Sequence, residues 1–293
     1  MNAPRIAAPS GVPAGALIGS APDGSIVAPR PPSVDVLGMR VDATSYADAA
    51  HRVTLWALAG ESRTVAVATV NNIMEAYDDK DYGAVMRRAD LVTPDGMPLV
   101  WAIRLLGVPV ATRVAGADLT PAILRCAALN GIPVGLYGGT PRALELLKSW
   151  AERRFPTLEI TFASSPPFRP LSKQEEEKAV ADIAASGARI IFVGLGCPKQ
   201  ELWMDRMHGQ LPAVTVGVGA AFDFLSGTKR RAPRLLQHLG LEWAFRLVHE
   251  PRRLWRRYAR HNPRFLALFT AQLLRARRRR ILARDEADID QEG

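Results

Sequence analysis

Cysteine is scarce: Cys126 and Cys197 are the two in the chain, and no second Cys or His stands at ligand spacing from either. That pattern speaks against a disulfide framework or a zinc site, and for a reducing compartment. Long apolar runs are missing too, and none approaches the roughly 20 residues that span a bilayer as a helix. The N-terminus has no charged segment followed by an apolar one, so no signal peptide is expected. Acidic residues are sparse in one place only. Residues 229–284 hold 17 Lys and Arg against Glu242 and Glu250, whereas the chain before them holds 21 basic and 22 acidic residues. Five more acids follow from Asp285 onward. The net charge of +9 therefore comes from a C-terminal block beside a nearly neutral body.

A chain of 293 residues with 48% hydrophobic and 23% charged residues can bury one substantial core and a small satellite. Residues 1–33 are rich in Pro, Ala, Gly and Ser without apolar periodicity, and are expected to be a disordered leader. From 34 to 228 short β-branched runs alternate with amphipathic helical patterns. Strands are predicted at 65–69, 90–92, 133–137, 160–162, 189–193 and 214–217, and helices at 46–58, 73–77, 97–106, 117–129, 141–154 and 172–185. Such alternation with nearly all-apolar strands predicts an α/β fold, a doubly wound Rossmann-like parallel sheet with helices on both faces. A basic helical appendage (229–284) and an acidic tail (285–293) would complete the chain.

In sheets of this kind ligands bind outside the C-terminal strand ends. Three predicted ends carry glycine loops: Gly138-Gly139-Thr140, Gly194-Leu195-Gly196 and Gly217-Val218-Gly219. Glycine lets the backbone approach a pyrophosphate, and a following helix N-terminus offers amide donors, so a nucleotide or sugar-nucleotide site is expected. The loops do not form the dinucleotide fingerprint, because Phe222 stands at its third glycine position and the motif comes late in the chain. A Walker lysine is also missing.

Asp95, in Thr93-Pro94-Asp95-Gly96, follows a predicted strand and could remove a proton from an attacking sugar hydroxyl. It could equally cap the helix that follows. Asn71 and Asn72 offer amides at a neighbouring strand end, either to sugar hydroxyls or to the local helix. Arg113 is a lone cation in an apolar stretch and needs an anionic partner, a carboxylate or a ligand phosphate. Lys199 and Gln200 open a helix after a glycine loop and would face a ligand, or else solvent. In the C-terminal block Arg246, Arg253 and the pair Arg256 and Arg257 can share a helix face. The apolar run 265–274, flanked by arginines and aromatic residues, fits an interfacial helix on anionic lipid. The same charge pattern would suit RNA or DNA, but no nucleic-acid module accompanies it.

Together these residues resemble the successive motifs of the WecG/TagA/CpsF glycosyltransferases. The motifs are Thr69-Val70-Asn71, Thr93-Pro94-Asp95-Gly96, Arg113-Val114-Ala115-Gly116, Tyr137-Gly138-Gly139, the loop from Gly194 to Glu201 containing Pro198-Lys199-Gln200-Glu201, and Gly217-Val218-Gly219 with Phe222-Asp223. A run beginning Gly240-Leu241-Glu242-Trp243 ends the match, which extends from about 34 to 265. The resemblance implies an inverting transferase that moves a sugar from a UDP-sugar to a polyprenyl-diphosphate-linked saccharide, peripherally bound at the inner face of the cytoplasmic membrane. It implies Asp95 as base, with Thr69, Asn71, Arg113 and Gln200 lining the sugar and acceptor pocket. Gly138, Gly139, Gly194, Gly196, Gly217 and Gly219 would hold ribose and pyrophosphate, and Asp223 the uracil. Arg246, Arg253 and Arg256 would neutralise the diphosphate. No Asp-x-Asp metal motif stands near a strand end, so independence of metal and cofactor is expected. An exposed sheet edge or the appendage could serve as a homo-oligomer interface. An NAD-dependent oxidoreductase and a basic nucleic-acid-binding protein are the alternatives, and neither explains motifs on several different strand ends.

Overall fold

The computed structural model describes the backbone of residues 19–20, 26–27 and 29–292, and the side chains of 29–278. The expected leader therefore lies largely outside the described residues, apart from a short ladder between β1 (Gly19–Ser20) and β2 (Ile26–Val27). The side chains of the acidic tail lie outside them as well.

The body opens with a hairpin of β3 (Ser33–Val36) and β4 (Met39–Asp42). Its turn places Leu37 (φ 54°) and Gly38 (φ 88°) in the left-handed region, as tight hairpins that follow the strand twist require. Helix α1 (Tyr46–Leu58) follows, capped by Ser45, whose hydroxyl accepts from the Asp48 amide. Next come β5 (Arg63–Ala68), α2 (Val70–Asp78), α3 (Lys80–Arg88), β6 (Leu91–Pro94) and α4 (Met97–Leu105). The chain continues through α5 (Gly116–Asn130), β7 (Val134–Gly138), α6 (Pro141–Arg154), β8 (Ile160–Ser164) and α7 (Lys173–Ala185). Then β9 (Ile190–Gly194), α8 (Lys199–Met207) and β10 (Val214–Gly217) close the body.

The six strands from β5 to β10 form one parallel sheet in the order β6-β5-β10-β9-β7-β8. The inner strands are buried on both faces, which is why they read as unbroken apolar runs. The edge strand β8 alternates half-buried and exposed residues. On one face Val65, Val67, Leu136, Phe192 and Val216 pack against α1, α5 and α6. On the other, Ala66, Ala68 and Val92 pack against α2, α3 and α4, and Ile191 and Val193 against α7 and α8. The helices that follow β7 and β9 thus leave neighbouring strands toward opposite faces, opening a crevice of the type that binds ligands in doubly wound sheets.

Helix α9 (Ala221–Leu225) packs into the body's core through Ala221 and Phe222, and the appendage consists of α10 (Arg234–His238), α11 (Glu242–His249) and α12 (Pro251–Glu292). Its apolar run does not face outward as one stripe. Phe265 and Phe269 are buried in the same cluster as Val36, Met39, Ile73 and Met74, with Leu268 and Leu273 beside them, whereas Leu266 and Leu274 are exposed. At 3.6 residues per turn, 265, 269 and 272–273 share a face, and that face meets the body. Gln272 fastens the contact: it accepts from the Leu37 amide at 3.0 Å and donates to the Asp35 carbonyl at 2.7 Å.

Candidate active site

Register places Asp95 and Thr69 side by side. Ala68 pairs with Pro94 at the ends of β5 and β6, and the Asp95 amide donates to the Ala68 carbonyl at 2.7 Å. Arg113 reaches the same edge because its neighbour Val114 lies along β6: the Val114 amide donates to Pro94 and the Thr93 hydroxyl donates to the Val114 carbonyl. The guanidinium of Arg113 then meets Asp95 at 3.3 Å, Glu242 at 2.6 Å and the Gln237 side-chain Oε1 at 2.9 Å. The anionic partner that Arg113 needed is a pair of carboxylates, one from the body and one from α11. Asp95 does not cap α4, whose N-cap is Gly96 with no side-chain hydrogen bond. Burial, and then repulsion from Asp95, push the Glu242 carboxyl above its ordinary range.

A second ion pair closes the same seam. Arg231 grips Asp118 with both terminal nitrogens, and Tyr46 donates to Asp118 at 3.2 Å while accepting from the Ala115 amide at 3.0 Å. Burial alone would raise the Asp118 carboxyl, but Arg231 and Tyr46 hold it below the usual range. Tyr46 itself is pushed up to about 12 by burial.

Asn71 and Gln200 lie at neighbouring strand ends. The Asn71 amide donates to the Cys197 sulfur at 3.2 Å, and its Oδ1 is buried without a hydrogen-bond partner among the described residues. Gln200 is buried, and its Oε1 accepts from the Gly219 amide at 3.1 Å, so the β9 and β10 loops are joined. Lys199 takes the solvent-facing alternative and donates to the Phe168 carbonyl. Thr69 and Asn72 form a local cap: Asn72 Oδ1 accepts from the Thr69 amide and hydroxyl at 3.0 and 2.7 Å.

The glycines divide into two kinds. Gly138 and Gly194 pair across β7 and β9, and a Cβ on Gly138 would stand 2.6 Å from the Gly194 carbonyl carbon. The Phe222 ring lies against Gly139 and Gly194, where added Cβ atoms would meet it at 3.2 and 2.9 Å. These three glycines are required for packing, whatever else they do. Gly196 and Gly219 have positive φ and open space at the Cβ position, Gly219 having only Gln200 Oε1 at 3.9 Å, so they keep backbone accessible at the edge. Gly217 lies against Gln200 and Met204. Asp223 pairs with Lys229 at 2.7 Å, Lys229 with Glu250 at 3.3 Å, and Glu250 with Arg253 at 2.6 Å.

Of the three appendage arginines, Arg246 lies over the Phe224 ring, 5.5 Å from its centroid, and its Nε is buried without a partner among the described residues. Arg253 joins the Asp223 chain through Glu250, and Arg256 sits exposed over Trp255. Two surface cavities, of about 290 and 420 Å³, lie away from Asp95, one between α3 and α8 and the other along α1 and α5. The site is thus the C-terminal edge of the sheet, which the appendage meets at Arg113 and Asp118.

Sequence reading missed Tyr46, Asp118, Arg231, Gln237 and the roles of Glu242 and Glu250. One signal was available: in a block of 17 basic residues these are the only two acids, and both hold cations.

Residues 34–279 match the family described as "Glycosyl transferase WecG/TagA/CpsF family". Over 185 residues, 62% of this chain and 69% of its relative, the sequence is 36% identical to a Bacillus spizizenii protein. That protein is named N-acetylglucosaminyldiphosphoundecaprenol N-acetyl-beta-D-mannosaminyltransferase. A match from residue 34 to residue 279, over most of the sequence, makes this chain a member of the WecG/TagA/CpsF glycosyltransferase family.

Proposed function

We propose that the protein transfers a sugar, with inversion, from a UDP-sugar such as UDP-ManNAc, UDP-ManNAcA or UDP-Glc to a polyprenyl-diphosphate-linked saccharide in cell-surface polysaccharide synthesis. The observation that carries this reading is the carboxylate of Asp95, fixed at the end of β6 and ion-paired to Arg113. The relative's name supports the acceptor class, since it describes transfer to a sugar carried on diphosphoundecaprenol.

Asp95 removes the proton from the acceptor hydroxyl as the oxygen attacks the anomeric carbon. The new carbon–oxygen bond forms opposite the UDP, and the departing electron pair goes to the β-phosphate oxygen. Charge growing on that diphosphate calls for preorganised donors, and the appendage presents Arg246, Arg253 and Arg256 for this role. The open Gly196 and Gly219 backbone receives the nucleotide, with Asp223 released from Lys229 to accept from the uracil. Arginines in place of a metal make transfer independent of Mg²⁺.

Membrane attachment fits the outer surface of the appendage. Leu235, Leu239, Val248 and Trp255 are exposed there, and Arg252 and Arg260 are exposed on the same helix as Trp255. Among the described residues no helix is long and apolar enough to cross a membrane, so contact would be interfacial, at the inner face of the cytoplasmic membrane.

Asp95→Asn tests the base. It should lower transfer by at least about 100-fold, as removal of a general base does, while UDP binding by calorimetry changes little. Near-normal turnover would remove Asp95 from that role. A thermal-shift panel of UDP, UDP-sugars, NAD and a short RNA, with and without Mg²⁺, tests the class. Stabilisation by NAD or RNA and not by UDP would overturn it.

A further inference from the structure

We propose that Glu201 is a positioning residue for transfer, its buried carboxylate setting the orientation of the two amides that hold the loops after β5, β9 and β10. The inference rests on the transferase reading above. Glu201 is 2% exposed, on the first turn of α8. Its Oε1 accepts from Gln200 Nε2 at 2.7 Å and from Asn72 Nδ2 at 3.0 Å. Each of those amides then turns its carbonyl oxygen to a loop amide: Gln200 Oε1 to Gly219 N–H at 3.1 Å, and Asn72 Oδ1 to Thr69 N–H at 3.0 Å. One acceptor oxygen thus fixes the sense of two side-chain amides, and they in turn fix two strand ends of the site.

The arrangement has little slack. A Cβ on Gly217 would come within 3.1 Å of Gln200 Nε2 and 2.8 Å of Met204 Cε, so the Gln200 amide packs directly against the Gly217 backbone. Asn72 Nδ2 also donates to the Tyr82 hydroxyl, which lies 3.4 Å from the Cys197 sulfur. Without an acceptor at 201, either amide can rotate by half a turn. A rotated Gln200 would set its NH₂ group against the Gly219 amide, two donors facing each other, and would release the loop. Misplacement of about 1 Å at a reacting centre lowers rates by up to about 100-fold.

The test uses the full-length chain in four forms: wild type, Glu201→Leu, Glu201→Gln and Gln200→Ala/Glu201→Leu, with Gln200→Ala as reference. Leucine removes the acceptor, whereas glutamine keeps an oxygen for both amides and places its NH₂ where Oε2 has no partner among the described residues. The first readout, amide exchange at Gly219 by NMR, does not need activity. It should quicken in Glu201→Leu and return to the wild-type rate in Glu201→Gln. The second is transfer kinetics: kcat/KM should fall about 10- to 100-fold in Glu201→Leu. It should recover to within about threefold in Glu201→Gln, and the double variant should lose less than the two single losses combined, because with Gln200 gone only the Asn72 arm is left to lose. Wild-type exchange at Gly219 in Glu201→Leu, failure of Glu201→Gln to recover, or additive losses in the double variant would each overturn the proposal. Should Glu201→Leu not fold, Glu201→Met takes its place, because a flexible side chain of similar length fills the site without restoring a carboxylate acceptor. A wild-type chain that transfers no sugar overturns the function instead, and Gly219 exchange then decides the tether by itself.

Discussion

Arg113 carries more of the site than its single charge suggests. Its terminal nitrogens serve Asp95, Glu242 and Gln237 from three different segments, and the rigid guanidinium fork suits that geometry better than a lysine would. Glu242 takes the shorter contact, and Asp95, the proposed base, the longer one. Arg113→Met should leave two partly buried carboxylates facing each other. We expect a loss of about 1–3 kcal/mol in stability, the cost of stranding such a partner, with a larger proportional loss in kcat. Chemical denaturation beside transfer kinetics checks this, and a variant of wild-type stability would show that Glu242 is satisfied elsewhere.

The C-terminal elements act through two attachments, one at each end. Near the site, Gly240 has φ 71°, and a Cβ there would come 2.7 Å from the Trp101 ring, so this glycine lets the turn before α11 lie against α4. Gly240→Ala should cost more than about 1 kcal/mol, and it should draw Glu242 away from Arg113. Limited proteolysis between α10 and α11 should quicken, with transfer reduced. At the far end, α12 docks on α2 through Arg260 and Arg264 to Asp78, and places the buried His261 3.9 Å from Glu75. Burial lowers the His261 pKa from 6.5, Glu75 and Asp78 oppose this, and Arg257 and Arg260 add to it. The unfolded chain therefore takes the proton first, so this docking contact loses stability as pH falls below about 6.5. Thermal melts from pH 8 to 5 should show a decline there that His261→Phe lacks.

At the scale of the whole molecule, the appendage is both core and surface. Phe265 and Phe269 complete the cluster under β3 and β4, so the catalytic body is not separable from α12. Elsewhere on the appendage Leu235, Leu239, Val248 and Trp255 are exposed. Each basic residue near an anionic membrane contributes about 1 kcal/mol at low salt, and the contribution fades as ions screen it. Flotation with phosphatidylglycerol vesicles should therefore recover the protein at low salt and lose most of it by 0.5 M NaCl. Equal binding to purely zwitterionic vesicles would show that the arginines are not what attaches it.

The sequence by itself determined the sheet, most of its helices and the residues at its edge. These follow from local periodicity, from capping residues such as Ser45 and Thr140, and from glycines at strand ends. Asp95, Asn71 and Gln200 could be placed at strand ends because each follows an apolar run within a few positions, whereas Arg113 follows no strand and reaches the edge through Val114 beside β6. The β3–β4 hairpin escaped notice because its turn, Leu37-Gly38, carries Leu where φ is positive and is held by Gln272 from α12. Only the tertiary structure decided which way the 265–274 stripe faces, since a helix face seeks whatever apolar surface lies nearest, lipid or protein. Only it joined Glu242 to Arg113, 129 positions away, and Glu201 to Asn72 at the same separation. Charge pairs and amide networks depend on distances in space, and no local pattern of residue types records them.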